Sequence, residues 1–223
     1  MIKRILRSSV ATIVLVAMGI ALIGMGSVRG VRAALREQTR REYVAQMELN
    51  HVYTDLLEDG KSVEGSDALL TDLKQLAAQK KFAVGRAYPK HLAVKNASDV
   101  DEYVRVTVYR YWSDAQGNRV DLDPSLIDVH FVTGSGWTED TAARTDERTV
   151  LYYTPVLAGN ATTSDFVDTI AIKKDVMSLK EEDGSYTYQG LEFHLEAVVD
   201  AIQTHHHQDA MNGVWGTAYG VSE

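Results

Sequence analysis

The chain has 223 residues with 31 acidic and 23 basic side chains, a formal net charge of −8 at neutral pH, and no cysteine. Because phosphate contacts need clustered lysine and arginine, this acidic balance argues against binding to duplex nucleic acid. The lack of cysteine excludes a cysteine nucleophile, a thiolate zinc site, disulfide bonds and a lipid-modified cysteine anchor within these residues.

An uncharged run of 21 residues, positions 8–28, follows three basic residues near the start of the chain. As a helix it spans roughly 30 Å, the thickness of a bilayer's hydrocarbon core, so residues 1–33 are predicted to form a signal peptide or a transmembrane helix. Small residues at the end of this segment predict cleavage at Ala33, with Ala34 as the new first residue. The arginines that follow, including Arg36, Arg40 and Arg41, favour a retained anchor, because positive charge beside a hydrophobic segment tends to stay in the cytoplasm.

Residues 34–60 are interpreted as a charged connector that leads into a possible strand. The apolar residues at positions 43–57 mix strand and helix periods, and we interpret this stretch as a strand. A short helix is predicted over 67–80, because Ser66 is a suitable N-cap and Leu69, Leu73 and Leu76 share one face. The main domain is predicted to span residues 61–223.

From residue 104 onwards the apolar residues follow a period of two. Val104, Val106 and Val108 alternate with polar or aromatic neighbours, which predicts a long half-buried strand. Arg110 interrupts the apolar face and predicts a position near a sheet edge or beside a carboxylate. The remaining predicted elements are a turn at 114–118, strands at 126–132, 149–156, 169–176 and 186–204, a longer loop at 133–148, and a helix at 208–215 with Thr204 as its N-cap. Several short strands with one or two short helices predict a mainly β fold, an antiparallel β-sandwich.

The sequence contains no metalloprotease, serine-hydrolase or phosphate-loop motif. His205, His206 and His207 are its only local cluster of metal-capable side chains, and at most two of them could share an ion, because neighbouring residues of a helix point about 100° apart. We therefore predict no catalytic residue, no metal site and no cofactor. The aromatic residues of the predicted strands are candidates for either a ligand platform or the core: Tyr109, Tyr111, Trp112, Tyr152 and Tyr153.

Several stretches, read in order, carry a resemblance to a known family. They are Tyr88-Pro89 with Leu92, Val94 and Asn96; residues 101–106; Tyr111-Trp112; residues 122–127; Glu147-Arg148 with residues 151–153; and residues 199–204 leading to Ala210 and Trp215-Gly216. Together with the N-terminal hydrophobic run, this order resembles the TasA and camelysin (CalY) group of Gram-positive bacteria, which is exported with the dedicated signal peptidase SipW. The resemblance covers roughly residues 85–216 and the export segment.

The resemblance implies a jelly-roll-like sandwich, preceded by a hydrophobic export helix, that is released outside the cell and polymerises head to tail into biofilm-matrix fibres. In that group the N-terminus created by cleavage acts as a donor strand, which completes a sheet of the next subunit. Here the residues after Ala34 are strongly charged, so we place the donor strand at 43–49. Its apolar side chains are Tyr43, Val44, Met47 and Leu49. The implied partners are the chain itself, related matrix proteins and SipW.

Three functions stay open at this point. The first is an extracellular structural protein that assembles by strand addition; the second is a binding module held on the cell surface by residues 8–28. The third is a metallopeptidase, as described for camelysin-like members, but His51, His91, His130 and His194 are scattered and none forms a helix-spaced pair. We therefore expect a structural protein rather than an enzyme, located outside the cell or at its surface.

Overall fold

The computed structural model describes residues 53–63, 69–205 and 207–216. Ten strands and two α-helices occupy this part of the chain. In chain order they are β1 (Thr54–Glu58), β2 (Lys61–Ser62), α1 (Thr71–Ala78), β3 (Tyr88–Asn96), β4 (Glu102–Ser113), β5 (Arg119–Val120), β6 (Ile127–Phe131), β7 (Trp137–Glu139), β8 (Arg148–Leu157), β9 (Val167–Ile172), β10 (Glu192–Gln203) and α2 (His207–Val214).

The strands form two antiparallel sheets. The first sheet has the order β2-β1-β3-β9-β6, and the second has the order β10-β4-β8-β7, with β5 pairing with the end of β4. This architecture confirms a mainly β fold with two antiparallel sheets and short helices, consistent with the predicted sandwich. Neither helix in the described part of the chain is long and apolar enough to cross a membrane.

The main core lies between the two sheets. Val104, Val106 and Val108 of β4 are at most 1% exposed and pack with buried residues of the first sheet such as Leu92 and Ile170. A period of two puts alternate side chains on one face of a strand, which is why these valines all point inwards. The pattern that predicted the strand is therefore the pattern that fills the core.

A smaller core lies on the outer face of the second sheet, where α2 packs. Met211 and Trp215, in α2 and directly after it, contact Tyr152 of β8 and Ile202 of β10. The guanidinium carbon of Arg105 lies 5.3 Å from the Trp215 ring centroid. The helix thus covers the end of the sheet at which β10 stops.

The sandwich has two ends, which we call proximal and distal. At the proximal end the chain reaches Tyr53, whose carbonyl accepts a hydrogen bond of 2.7 Å from Ala97, and β10 ends with Gln203 opposite Glu102. At the distal end lie the β4–β5 hairpin and the connection between β9 and β10, residues 173–191.

Several predicted elements match the structure and others are wrong. The strands at 126–132 and 149–156, the turn at 114–118 and the helix at 208–215 are confirmed to within about two residues. The loop predicted at 133–148 contains strand β7, and the strand predicted at 169–176 ends at Ile172 and continues as a short 3-10 helix, Lys174–Met177. Strand β10 begins at Glu192 rather than at residue 186. Strand β3 was not predicted at all.

The predicted starts of both helices also need correction. Helix α1 begins at Thr71, after Leu70 in a left-handed conformation (φ 61°), and the predicted cap Ser66 lies outside the described residues. At the start of α2 the Thr204 carbonyl lies 2.6 Å from His207 Nδ1, and the helix begins at His207 rather than at residue 208. Of the strand predicted at 43–57, only the part from Thr54 onwards falls in the described region, where it is β1.

The prediction for Arg110 holds only in part: the residue does not lie on an edge strand, although the carboxylates of Asp123, Asp128 and Asp146 interact electrostatically with it. Strand β4 is internal, with β10 on one side and β8 on the other. The guanidinium donates to the carbonyl oxygens of Ile127 (3.1 Å) and Asp146 (3.2 Å) rather than to a carboxylate. Arg110 therefore ties the distal part of β4 to the start of β6.

Candidate functional site

Strand β10 is the outermost strand of the second sheet. Each of its 12 residues pairs with β4, from Glu192 opposite Ser113 to Gln203 opposite Glu102. On its other side no strand of the described residues pairs with it, although β1 of the first sheet lies close by. A sheet edge that no other strand covers is a template for the addition of a strand.

The inward side of β10 is only partly covered. Phe193, Ala197 and Val199 contact the main core but stay half-buried, whereas the valines of β4 beside them are almost completely buried. The difference arises because, among the described residues, β4 has a neighbouring strand on both sides and β10 has one. A further strand along this edge would remove more of this apolar surface from water, which is favourable at roughly 25 cal/mol per Å².

The other sheet edges are much shorter. In the first sheet the outer strands are β2, with two residues, and β6, with five; in the second sheet β7 has three. Strand β6 also carries outward Asp128 and His130, whose Nδ1 lies 2.7 Å from Asp168 on the neighbouring strand. Short edges and charged side chains are devices that limit edge-to-edge pairing. Within the described residues, β10 therefore offers the longest edge for strand addition.

A buried lysine fixes the first strand of the other sheet. Lys90 on β3 is 2% exposed, and its ammonium group lies 2.7 Å from Asp59, 2.8 Å from Asp72 and 3.0 Å from Glu58. Burial alone would lower the pKa of Lys90, but hydrogen bonds to these carboxylates outweigh it and raise that pKa. For Asp59, burial alone would raise the pKa of the carboxyl group. The hydrogen bond from Lys90 outweighs this effect, and the pKa of Asp59 is lowered.

The carboxylates around Lys90 also hold the N-terminus of helix α1 against strands β1 and β3. Glu58 accepts the backbone N–H of Leu70 with both carboxylate oxygens at 3.1 Å, and Asp72 lies in the first turn of α1. Negative charge at a helix N-terminus is favourable. Strands β1 and β3 and helix α1 are thus held together by one charged cluster.

A second buried ionisable group, Glu102, has no such partners. It opens β4 at the proximal end, is 0% exposed, and neither carboxylate oxygen has a hydrogen-bond partner among the described residues. Burial raises the pKa of Glu102 to about 8, because a charged carboxylate is poorly solvated in the core. At neutral pH its carboxyl group is therefore mainly protonated.

The predicted ligand platform is largely used for packing. Tyr111 lies between His194, stacked at 4.8 Å, and Arg119, whose guanidinium carbon is 3.8 Å from the Tyr111 ring centroid. Trp112 and Tyr152 are buried, and Trp112 Nε1 donates to the Asp123 carbonyl at 2.9 Å. Both faces of the Tyr111 ring are thus occupied, so it offers no stacking surface to a sugar.

The described histidines also lie apart from one another. Within residues 53–63, 69–205 and 207–216, no group of three or more His, Asp or Glu side chains comes close enough to hold a metal ion. His91 pairs with Asp165 at 2.8 Å, and His194 Nε2 lies 2.7 Å from Ser113 Oγ. The His207 ring packs 4.9 Å from Tyr103, while His206 lies outside the described residues.

The site residues named from the sequence also lie outside the described part of the chain. They are the cleavage residues Ala33 and Ala34 and the donor residues Tyr43, Val44, Met47 and Leu49. Sequence reasoning missed the outer edge of β10 and the Lys90 cluster. The only signal for the edge was the length of the apolar alternation at residues 191–201.

Comparison with protein-family models, with characterised proteins and with solved structures gives no match to this chain.

Proposed function

We propose that the chain is an exported structural protein, a subunit of extracellular-matrix or surface fibres that assembles by strand addition. The outer edge of β10 is the observation that carries this proposal. It combines a 12-residue strand, no strand partner among the described residues, and a half-covered apolar face. Each backbone hydrogen bond made there by an added strand would contribute about 0.5–1.5 kcal/mol net.

The order of the strands supports a jelly-roll-like arrangement in which the described residues fill every position but one. Leaving out the two-residue strands β2 and β5, β10 is the eighth described strand and β4 the third. In a jelly roll the last strand lies between the first and the third. Here β1 pairs with β3 in the other sheet, so none of the described strands takes the place beside β10, and we assign that place to a strand of another copy.

A second copy of the chain is the source we propose for this strand. The donor segment at 43–49 lies a few residues before β1 and follows the predicted cleavage site at Ala33, so removal of residues 1–33 by SipW would free it. Each subunit gives a strand to one neighbour and takes one from another, which makes a head-to-tail contact that need not close. The resemblance to the TasA and camelysin group points to the same mode of assembly.

A deletion of residues 34–50 from the exported protein tests the proposal. We expect a folded, soluble monomer that forms no fibres by electron microscopy and sedimentation, because the donor strand is missing. As a matched control, residues 34–42 are replaced by a glycine-serine segment of equal length. This control keeps positions 43–49 and should still assemble. Fibres that persist after the deletion would refute the donor strand.

The N-terminal residue of the protein recovered outside the cell separates the two non-enzymatic functions. Our proposal expects Ala34, since cleavage must create the donor end. An intact residue 1 on a protein that stays in the membrane fraction would instead support the anchored binding module.

A further inference from the structure

Large hydrophobic side chains with high exposure occur at the two ends of the sandwich. In the described residues those between 43% and 56% exposed are Tyr53, Val156, Met177, Leu179 and Tyr186. Tyr53 and Val156 lie at the proximal end, where the chain reaches β1 and where β8 finishes beside Glu102. The other three lie at the distal end, in residues 173–191. Exposed apolar side chains are thus found at both ends of the sandwich, where consecutive copies in a fibre would meet.

The distal group sits on an ordered projection. Thr187 donates its backbone N–H to the Leu179 carbonyl at 3.1 Å, and Glu181 donates to the Ser185 carbonyl at 2.9 Å, so residues 179–187 form a small hairpin. Its base is anchored by buried Val176 and by Tyr188, whose ring lies 4.9 Å from that of Trp112. Ordering this segment costs conformational entropy, yet Met177, Leu179 and Tyr186 are left facing solvent. A preorganised apolar projection is suited to docking against a protein surface.

The charge of the projection argues against a membrane as its partner. Residues 173–191 contain Lys173, Lys174 and Lys180 against four acidic residues, a net charge of −1. Attachment to an anionic lipid surface relies on an excess of lysine and arginine beside the apolar side chains. A polar protein surface with exposed apolar residues, such as the proximal end of another copy, fits better.

The direction of β10 selects how two copies would stack. Strand β10 runs from the distal to the proximal end, and the chain reaches Tyr53 at the proximal end. A segment upstream of Tyr53 that lay along β10 of its own subunit would run parallel to it. If it came from a copy whose proximal end faces the distal end of this subunit, it would run antiparallel to β10. All strand pairs of the described sheets are antiparallel, so the second arrangement continues the existing pattern.

We therefore propose that the distal projection, with Met177, Leu179 and Tyr186, docks on the proximal end of the next copy beside Tyr53 and Val156. This end-to-end contact rests on the proposed strand addition and adds a second contact to it. The projection aligns each new subunit so that the incoming strand meets the distal end of β10 first.

Cysteine cross-linking tests the contact directly, because the natural chain has no cysteine. The exported protein would carry Val156→Cys and Leu179→Cys and be treated with a short bis-maleimide after assembly. A 12-residue strand spans about 40 Å, so the two thiols of one subunit are too far apart to react with each other. We expect a ladder of covalent dimers, trimers and larger species. The control pair His130→Cys and Leu179→Cys places one thiol on the β6 side edge and should give no ladder.

The outcomes separate this inference from the proposed function. Fibres without a ladder from the end-to-end pair, or dimers from Leu179→Cys alone, would overturn the contact while leaving strand addition in place. A protein that neither assembles nor cross-links would overturn both.

A charge at the projection gives a second test. Leu179→Asp is expected to raise the concentration needed for assembly by about tenfold or more, since it puts a carboxylate where apolar surface is to be buried. Leu179→Met keeps the apolar contact and should assemble as the natural chain does. Both variants should keep their melting temperature, because the side chain is exposed in the monomer. Unchanged assembly of a folded Leu179→Asp protein would contradict the contact.

Discussion

The two sheets of the sandwich differ in the lengths of their outer strands. In the first sheet the outer strands are β2 and β6, with two and five residues, and the strand beside β2 is fixed by the Lys90 cluster. In the second sheet the outermost strand is β10, with 12 residues. The first sheet thus has short or charged edges, whereas the second presents a long edge with half-covered apolar residues. The edges of the first sheet are therefore poorly suited to pairing with a strand of another copy, and the β10 edge of the second sheet is better suited to it.

The buried ionisable groups show the same contrast. Lys90 in the first sheet has three carboxylates within 3.0 Å, so its charge is compensated. Glu102 in the second sheet has no hydrogen-bond partner among the described residues and is mainly protonated at neutral pH. The first arrangement stabilises the fold by holding elements together, and the second makes the proximal end of β4 sensitive to pH.

Proline substitutions in β10 should have the largest effect, a loss of assembly. Neighbouring residues of a strand direct their N–H groups to opposite sides, so of Glu196 and Ala197 one donates towards β4 and the other away from it. We expect one of the variants Glu196→Pro and Ala197→Pro to keep its melting temperature within about 3 °C and yet form no fibres. The other should melt at a lower temperature because it loses a bond to β4. Normal fibres from both folded variants would contradict the role of this edge.

Removal of the Lys90 ammonium group should have a large effect on stability. In Lys90→Met the carboxylates of Glu58, Asp59 and Asp72 face each other without a cation. We expect the free energy of unfolding to fall by about 2–3 kcal/mol, less than for a fully buried pair because Asp59 and Asp72 are partly exposed. Urea unfolding at neutral pH measures this loss.

The pH dependence of that loss identifies its cause. The pKa of Asp59 lies below its ordinary value of 3.8 in the folded protein, so its contribution is lost as the pH falls below that value. The difference between the natural chain and Lys90→Met should therefore shrink on acidification below about pH 4. Lys95→Met, on the same strand, removes a half-exposed lysine and should change stability by less than about 0.5 kcal/mol. Equal losses of unfolding free energy for the two variants would show that the carboxylates around Lys90 add no stability beyond that of an ordinary surface lysine.

Replacement of the buried carboxyl group should have a smaller effect, on pH dependence. Between the ordinary pKa of 4.5 and the folded value of about 8, the folded protein holds a proton on Glu102 that the unfolded chain lacks. Stability therefore falls as the pH rises through this window, by at most about 1.4 kcal/mol per pH unit from this group. Glu102→Gln is neutral at every pH and should remove that part of the slope. An unchanged slope in urea unfolding from pH 5 to 8 would contradict the burial of a neutral carboxyl group.

The regular part of the fold was predictable because it follows local patterns. Strands β4 and β6 alternate inward apolar residues with outward residues, so their period of two is visible in the sequence. Strand β8 is buried on both faces and is instead marked by a continuous apolar run, residues 150–153. Strand β3 escaped prediction because Lys90 occupies an inward position, between Pro89 and His91, where an apolar residue would complete the alternation. The lysine is tolerated there only because β1 and α1 bring carboxylates to it from elsewhere in the chain.

The candidate site was less predictable, since it depends on contacts between distant residues. The alternation of Phe193, Leu195 and Ala197 indicates a strand but does not tell whether that strand is internal or outermost. Its place is set by pairing with β4, about 90 residues away in the chain. The short strand β7 was missed for a similar reason, because residues 137–139 become a strand only through pairing with β8.

Hydrogen exchange of the backbone amides, compared between assembled and monomeric protein, tests strand addition at β10 most directly. The monomer is the protein with residues 34–50 deleted, and the assembled sample is the exported protein. We expect alternate amides of β10, those directed away from β4, to exchange much more slowly in the assembled protein, because the added strand gives them hydrogen-bond partners. The amides of β6 should exchange at equal rates in both samples. Slower exchange at β6 with no change at β10 would contradict strand addition at the β10 edge.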